Sequence, residues 1–512
     1  MTYSPDLSSA FNDTHMRSRI VSVPSGLCSF CTEDCAGSCE IALAAVLGKQ
    51  TVYPTNTGNN QVASEKRYPI DFSHFNINGR VFGAIGVPET YEEASIFNVS
   101  LDRTYGVFKE VRLAMPVVLP ALIKLNWQDY FAGAAMAGVT CVIGEEARDK
   151  DPDLVLDQGK IVDFPALRGM LDAFRAYDRG LGQIVLQCNV EDDQLGLPEY
   201  AIQKQGVEAI EFKFGQSAKG TQPARRLKSR KEALEKKALG MLVHPDPDDP
   251  DLAAKDEAGC CPDFYTYARL PLWDEDYLMA RIARLRELGA PNIYFKMAGY
   301  DRSDLERVIR LASQAKVDMI TFDGAGGGTG YSPTKMMNEW GLPAILMEEA
   351  VLVILEQVRA EGGHLPALTL TGGFSSEDQV FKALAYGQGS FTAVGLCRSA
   401  MAAAMTGRNL GQRIRQGDIP RHMARFGGTV QELFADLGDL RALYGRKADD
   451  FSLGAVGVFS YLNKIAFGLK HFAALNRKFD LALLDRSDLI PLTRDAKDLL
   501  AGRWFDLSGR SL

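Results

Sequence analysis

The chain has 512 residues, 46% of them hydrophobic and 24% charged, with a net charge of −8. These proportions are ordinary for a globular enzyme, and the length suits one large catalytic domain with extensions, or two to three average domains. The acidic balance argues against a general nucleic-acid binder, which needs a basic surface against phosphate.

No run approaches the ~18 apolar residues of a membrane span. The N-terminal stretch MTYSPDLSSAFNDTHMRSRI has no apolar signal core, so a cytoplasmic location with reduced cysteines is expected. The first motif is CSFCTEDCAGSC, which places Cys28, Cys31, Cys35 and Cys39, four of the nine cysteines, within twelve residues. In a reducing compartment this spacing supplies thiolates for one metal centre, and both zinc and an iron–sulfur cluster satisfy the ligand count.

Eight short β-rich runs follow in order. They are MPVVLP (115–120), GVTCVIG (138–144), GQIVLQC (182–188), GVEAIEFKF (206–214), NIYFKM (292–297), VDMITF (317–322), ALTLTG (367–372) and SFTAVG (390–395). Amphipathic stretches lie between them, such as DYLMARIARLRELG, where Leu278, Ile282 and Leu285 recur at helical spacing. Eight buried runs alternating with helices predict a parallel (β/α)8 TIM barrel of the α/β class. The barrel is expected over residues 111–400, with a cysteine-rich extension at 1–110 and a helical region at 401–512. The charged segment 217–276 reads as a solvated insertion whose place after the fourth strand leaves a lid role open. The helices after residue 400 are expected to pack on the barrel or to form a subunit contact.

Barrel enzymes carry their chemistry on the loops that follow the strands. After the sixth predicted strand comes DGAGGGTGYSP, from Asp323 to Pro333, where dense glycine lets backbone N–H groups approach a flat or anionic ligand. The seventh and eighth strands end in TGGF and VGLCRS. Gly372, Gly373, Gly395 and Arg398 there suit a phosphate cradle. The fourth run continues as EFKFGQSAKG, whose Lys213, Gln216 and Lys219 suit a carboxylate or a negatively charged reduced ring. Lys296 points to the same end. Glu145 and Glu146, after the second strand, are candidate acids or bases, although surface carboxylates are the commoner outcome at such positions.

Together, in this order and spacing, EFKFGQSAKG, DGAGGGTGYSP and TGGF resemble the FMN-binding domain of the glutamate synthase family. Lys213, Gln216, Ala218 and Lys219 match that family's run after strand four. Gly327, Gly328, Thr329, Gly330, Ser332 and Pro333 match its run after strand six. The resemblance covers roughly residues 80 to 445. It implies FMN across the barrel mouth, with Pro120, Ala121 and Leu122 near the ring and the phosphate on Gly372, Gly373 and Gly395. Lys296 would face the N1–C2 edge. Asp323, Gly327, Gly328, Thr329, Gly330 and Arg398 would complete the cofactor site, and Lys213, Gln216 and Lys219 would hold a carboxylate substrate such as 2-oxoglutarate.

Three departures accompany the resemblance. No glutaminase domain is expected ahead of the barrel, so ammonia is expected from solution or from an amidotransferase subunit. The family's cluster cysteines after strand eight are missing, since GLCRSAMAAAMTGRNLG holds Cys397 alone. The family's acidic residue before GGTG is replaced by Gly326. Because a redox flavoprotein needs an electron path, Cys28, Cys31, Cys35 and Cys39 are read as ligands of a 4Fe–4S cluster in preference to zinc. The expected activity is reductive amination of a 2-oxo acid, or the reverse oxidation of an amino acid or amine. Ferredoxin or a reductase subunit would be the partner, within an oligomer. Alternatives are an FMN enzyme reducing or isomerising an unrelated substrate, and an FMN/iron–sulfur electron-transfer subunit.

Overall fold

The computed structural model describes residues 40–48, 68–86, 94–122, 126–145, 147–215, 225–227, 229–261, 264–267, 269–270, 272–325 and 340–503. Its centre is a closed barrel of eight parallel strands that follow one another around the ring in chain order. They are β1 (Val117–Leu122), β2 (Thr140–Ile143), β3 (Ile184–Cys188), β4 (Ala209–Lys213), β5 (Asn292–Ala298), β6 (Met319–Asp323), β7 (Ala367–Thr371) and β8 (Phe391–Gly395). Each coincides with one of the eight runs expected from the sequence. Nearly every strand residue is buried, because helices cover the outer face while side chains fill the interior.

A short helix, α1 (Glu40–Leu47), comes before the barrel. Each strand is then followed by a helix: α2 (Trp127–Ala137), α3 (Pro165–Arg175), α4 (Leu197–Gln205), α5 (Glu275–Leu288), α6 (Arg302–Gln314), α7 (Ala344–Ala360), α8 (Glu377–Tyr386) and α9 (Arg398–Arg415). A further helix, α10 (Leu453–Leu475), packs against α1, α2 and α9. The close approach of α9 and α10 rests on Gly407 and Gly457, since a Cβ on Gly457 would come within 2.6 Å of the Ala403 carbonyl oxygen. Thus the α10 part of the helical region beyond residue 400 packs on the barrel.

The interior is layered by period-two alternation along the strands. The lower layer is apolar, with Val118, Val142, Val185, Ala209, Tyr294, Met319 and Ala393 in one cluster. An antiparallel hairpin, Arg103–Tyr105 with Val111–Leu113, closes that end by adding Tyr105, Val111 and Leu113. The Tyr105 hydroxyl lies 2.7 Å from Thr140 Oγ1, and Asp318 Oδ1 accepts from the Val107 N–H at 2.6 Å. The hairpin thus covers the amino-terminal end of the barrel.

The insertion after β4 has a fold of its own, where its composition predicts only solvated chain. Strands Arg225–Leu227 and Leu242–His244 flank Phe264–Tyr267 in an antiparallel sheet, with helices Arg230–Ala238 and Pro250–Glu257 beside it. Its core is small: Leu227, Ala233, Leu252 and Phe264. These residues are spread too thinly through the charged sequence to show a helical or strand period. Arg269 ties the segment down, donating its backbone N–H to Glu191 Oε1 at 2.7 Å and its guanidinium to the Gly240 carbonyl at 3.1 Å.

Candidate active site at the barrel mouth

Two residues above the apolar layer, the same strand faces carry polar groups. Gln187, Glu211, Lys296, Thr321 and Thr369 follow Val185, Ala209, Tyr294, Met319 and Ala367 on β3 to β7, and all five polar residues are buried. Gln187 Nε2 donates to Glu211 Oε1. Burial raises the Glu211 carboxyl above the usual glutamate range, with Lys296 and the Gln187 hydrogen bond pulling the other way. Burial works against the Lys296 ammonium too. Asp323, Glu211, Cys397 and Glu145 outweigh it, so the pKa of Lys296 is raised and it stays charged inside the barrel.

One step higher, at the end of β4, Lys213 forms an ion pair with Glu145 from the loop after β2. Their side chains are only 5% and 10% exposed, so Glu145 is not the surface carboxylate that its loop position suggests. The pair is screened little by solvent, and losing either partner would strand a buried charge.

On the opposite side of the mouth, β7 and β8 present main chain. Gly372 has φ +125°, and a Cβ there would come within 2.7 Å of the Gly324 carbonyl oxygen. Gly373 has φ +88° and open space where a side chain would project. On β8, a Cβ at Gly395 would meet Pro120 Cγ at 2.7 Å, which fixes the packing of β8 against the top of β1. Helix α9 starts immediately beyond, with Arg398 as its first residue and no side-chain cap from Cys397. An 18-residue helix beginning beside the main chain of Gly372 and Gly373, with an arginine as its first residue, suits an anion such as a phosphate.

These residues fit FMN: an anion cradle on β7 and β8, and a buried cation, Lys296, across from it. Pro120, Ala121 and Leu122 end β1 on the same side as Gly395. Asp323 ends β6 and contributes to the field at Lys296. Gln216, Lys219, Gly327, Gly328, Thr329 and Gly330 lie outside the described residues, as do Glu146 and the cysteines Cys28, Cys31, Cys35 and Cys39. Among the described residues no cluster of metal-ligating side chains occurs. No described helix is long and apolar enough to cross a membrane. Sequence reasoning missed Glu211 and Gln187. The available signal was alternation, because Glu211 precedes Lys213 by two positions on one strand and must share its face.

The strand pairing defines a (β/α)8 barrel protein, with glycine-lined main chain on one side of its mouth and buried charge on the other. Residues 271–407 match the family described as "Conserved region in glutamate synthase", a span running from before β5 into α9. This is the family that the loop motifs indicate. No curated protein matches the chain in sequence. Among solved structures, a soluble mutant of the membrane-associated (S)-mandelate dehydrogenase from Pseudomonas putida is 16% identical, with 82% of this chain and 88% of that one covered and a TM-score of 0.42. A point mutant of FabK from Thermotoga maritima is 12% identical, with 56% and 62% covered and a TM-score of 0.31. At these scores the likeness adds nothing to the fold that the strand pairing itself establishes.

Proposed function

We propose that this chain is an FMN-dependent oxidoreductase that reductively aminates a 2-oxo acid, or runs the reverse oxidation of an amino acid or amine. The supporting observation is that the glutamate synthase region spans Lys296 on β5, Gly372 and Gly373 just after β7, and Gly395 on β8. FMN, when bound, supplies hydride chemistry at the mouth.

The chain's own groups bind and position. Main-chain N–H groups after β7 and at the start of α9 hold a phosphate, and Arg398 offsets its charge. Lys296 keeps a fixed positive charge inside the barrel, with Glu211 and Asp323 holding it protonated. Lys213, with Gln216 and Lys219, forms the substrate end, where Glu145 keeps the Lys213 ammonium in place. In the forward reaction, ammonia condenses with the C2 carbonyl and water leaves. Two electrons and two protons then convert the C=N bond to CH–NH2. A ferredoxin or partner reductase provides the electrons, and Cys28, Cys31, Cys35 and Cys39 are the proposed ligands of a 4Fe–4S cluster.

The test is anaerobic. Flavin-loaded protein is reduced with dithionite and then given 2-oxo acids with ammonium. Return of the oxidised flavin spectrum, dependent on both additions, supports the reading. If no 2-oxo acid with ammonium reoxidises the flavin and no amino acid or amine reduces it, amination chemistry is excluded while flavin binding stands.

A further inference from the structure

The side of the mouth above β4 to β6 differs from the glycine cradle opposite. Tyr300, just past β5, and Trp340, ahead of α7, form an edge-to-face pair with ring centroids 6.0 Å apart and planes at 75°. Both positions are set by the backbone. The Tyr300 phenol lies against Gly215, two residues beyond Lys213, where a Cβ would come within 2.6 Å of its hydroxyl oxygen. The Trp340 segment is tied to the strand ends, because Leu342 donates to the Gly299 carbonyl at 2.6 Å and Ala325 donates to the Leu342 carbonyl at 2.7 Å. Trp340 is 45% exposed, a large aromatic side chain beside the strand ends of a polar site.

Charge at the same end points the same way. Among the described residues, the cations inside the barrel there are Lys213, paired with Glu145, and Lys296, in the field of Asp323 and Glu211, so each already has a carboxylate beside it. A substrate with one carboxylate and a ring suits this arrangement better than a dicarboxylate.

We propose that Tyr300 and Trp340 form an aromatic wall selecting a 2-oxo acid or amine with an aromatic or bulky apolar side chain over 2-oxoglutarate. The inference rests on the flavin reading above. Phenylpyruvate and 2-oxoglutarate, titrated separately into the flavin-loaded full chain and read by flavin absorbance, test it. Phenylpyruvate is expected to half-saturate at about one tenth of the 2-oxoglutarate concentration, the scale of one aromatic contact. Trp340→Ala and Tyr300→Ala each raise the phenylpyruvate value about tenfold, leave flavin content and the 2-oxoglutarate response unchanged, and Trp340→Phe restores most of the loss. Tighter or equal binding of 2-oxoglutarate overturns the proposal, as does a Trp340→Ala variant that responds to phenylpyruvate like the wild type. Bound flavin that is silent to both acids overturns the wall and leaves the flavin assignment intact. Failure to bind flavin removes both.

Discussion

Lys296 is 4% exposed within a closed barrel, and its charge is tolerated only because carboxylates surround it. Replacing it with methionine keeps the volume and removes the cation that the cofactor ring would meet. Lys296→Met is expected to weaken FMN binding about tenfold or more, the scale of one lost charge-assisted contact, as measured by quenching of flavin fluorescence. Glu348 on α7 presents the opposite case. It is fully buried, and among the described residues neither carboxylate oxygen has a hydrogen-bond partner. Burial lifts its pKa well above the usual range, Arg486 opposes this and Glu349 adds to it. Below the unfolded value of about 4.3, folded and unfolded chains are both protonated and the group is neutral to stability. Above it the unfolded chain releases a proton that the folded chain keeps, so stability falls as pH rises. Glu348→Gln should therefore raise the melting temperature more at pH 8 than at pH 4, and equal shifts at the two values would contradict the assignment.

Among the elements, the insertion is the one whose stability is narrowest. Four core side chains hold a three-stranded sheet and two helices together, whereas the barrel has a continuous core. Phe264 is central, since it belongs to the middle strand and is fully buried. Phe264→Ala costs about 3–5 kcal/mol, which a core this small does not absorb. Limited proteolysis should then cut between residues 225 and 267 while the barrel stays resistant; loss of resistance throughout would show that the insertion and barrel unfold as one unit. The barrel strands were legible because parallel strands buried on both faces read as short apolar runs bounded by glycine. The insertion was not, because its apolar residues are sparse and its contacts are with one another across the chain.

The whole molecule assembles its site from widely separated loops, and that governs what sequence alone could show. The cradle glycines and Lys213 were visible in local motifs. The Lys213–Glu145 pair joins positions 68 residues apart, and Gln187 meets Glu211 across neighbouring strands, so both needed the ring to close. Trp340 and Tyr300 lie far apart in sequence, and only the folded chain sets them side by side. The central claim, that this mouth holds FMN, has a direct test. The full chain is purified without oxygen, its absorption spectrum is recorded, and the released chromophore, iron, zinc and sulfide are determined. The account predicts flavin bands from one FMN per chain, with about four irons per chain if the N-terminal cysteines carry a 4Fe–4S cluster. Protein that contains no flavin and takes up none when FMN is added would contradict it.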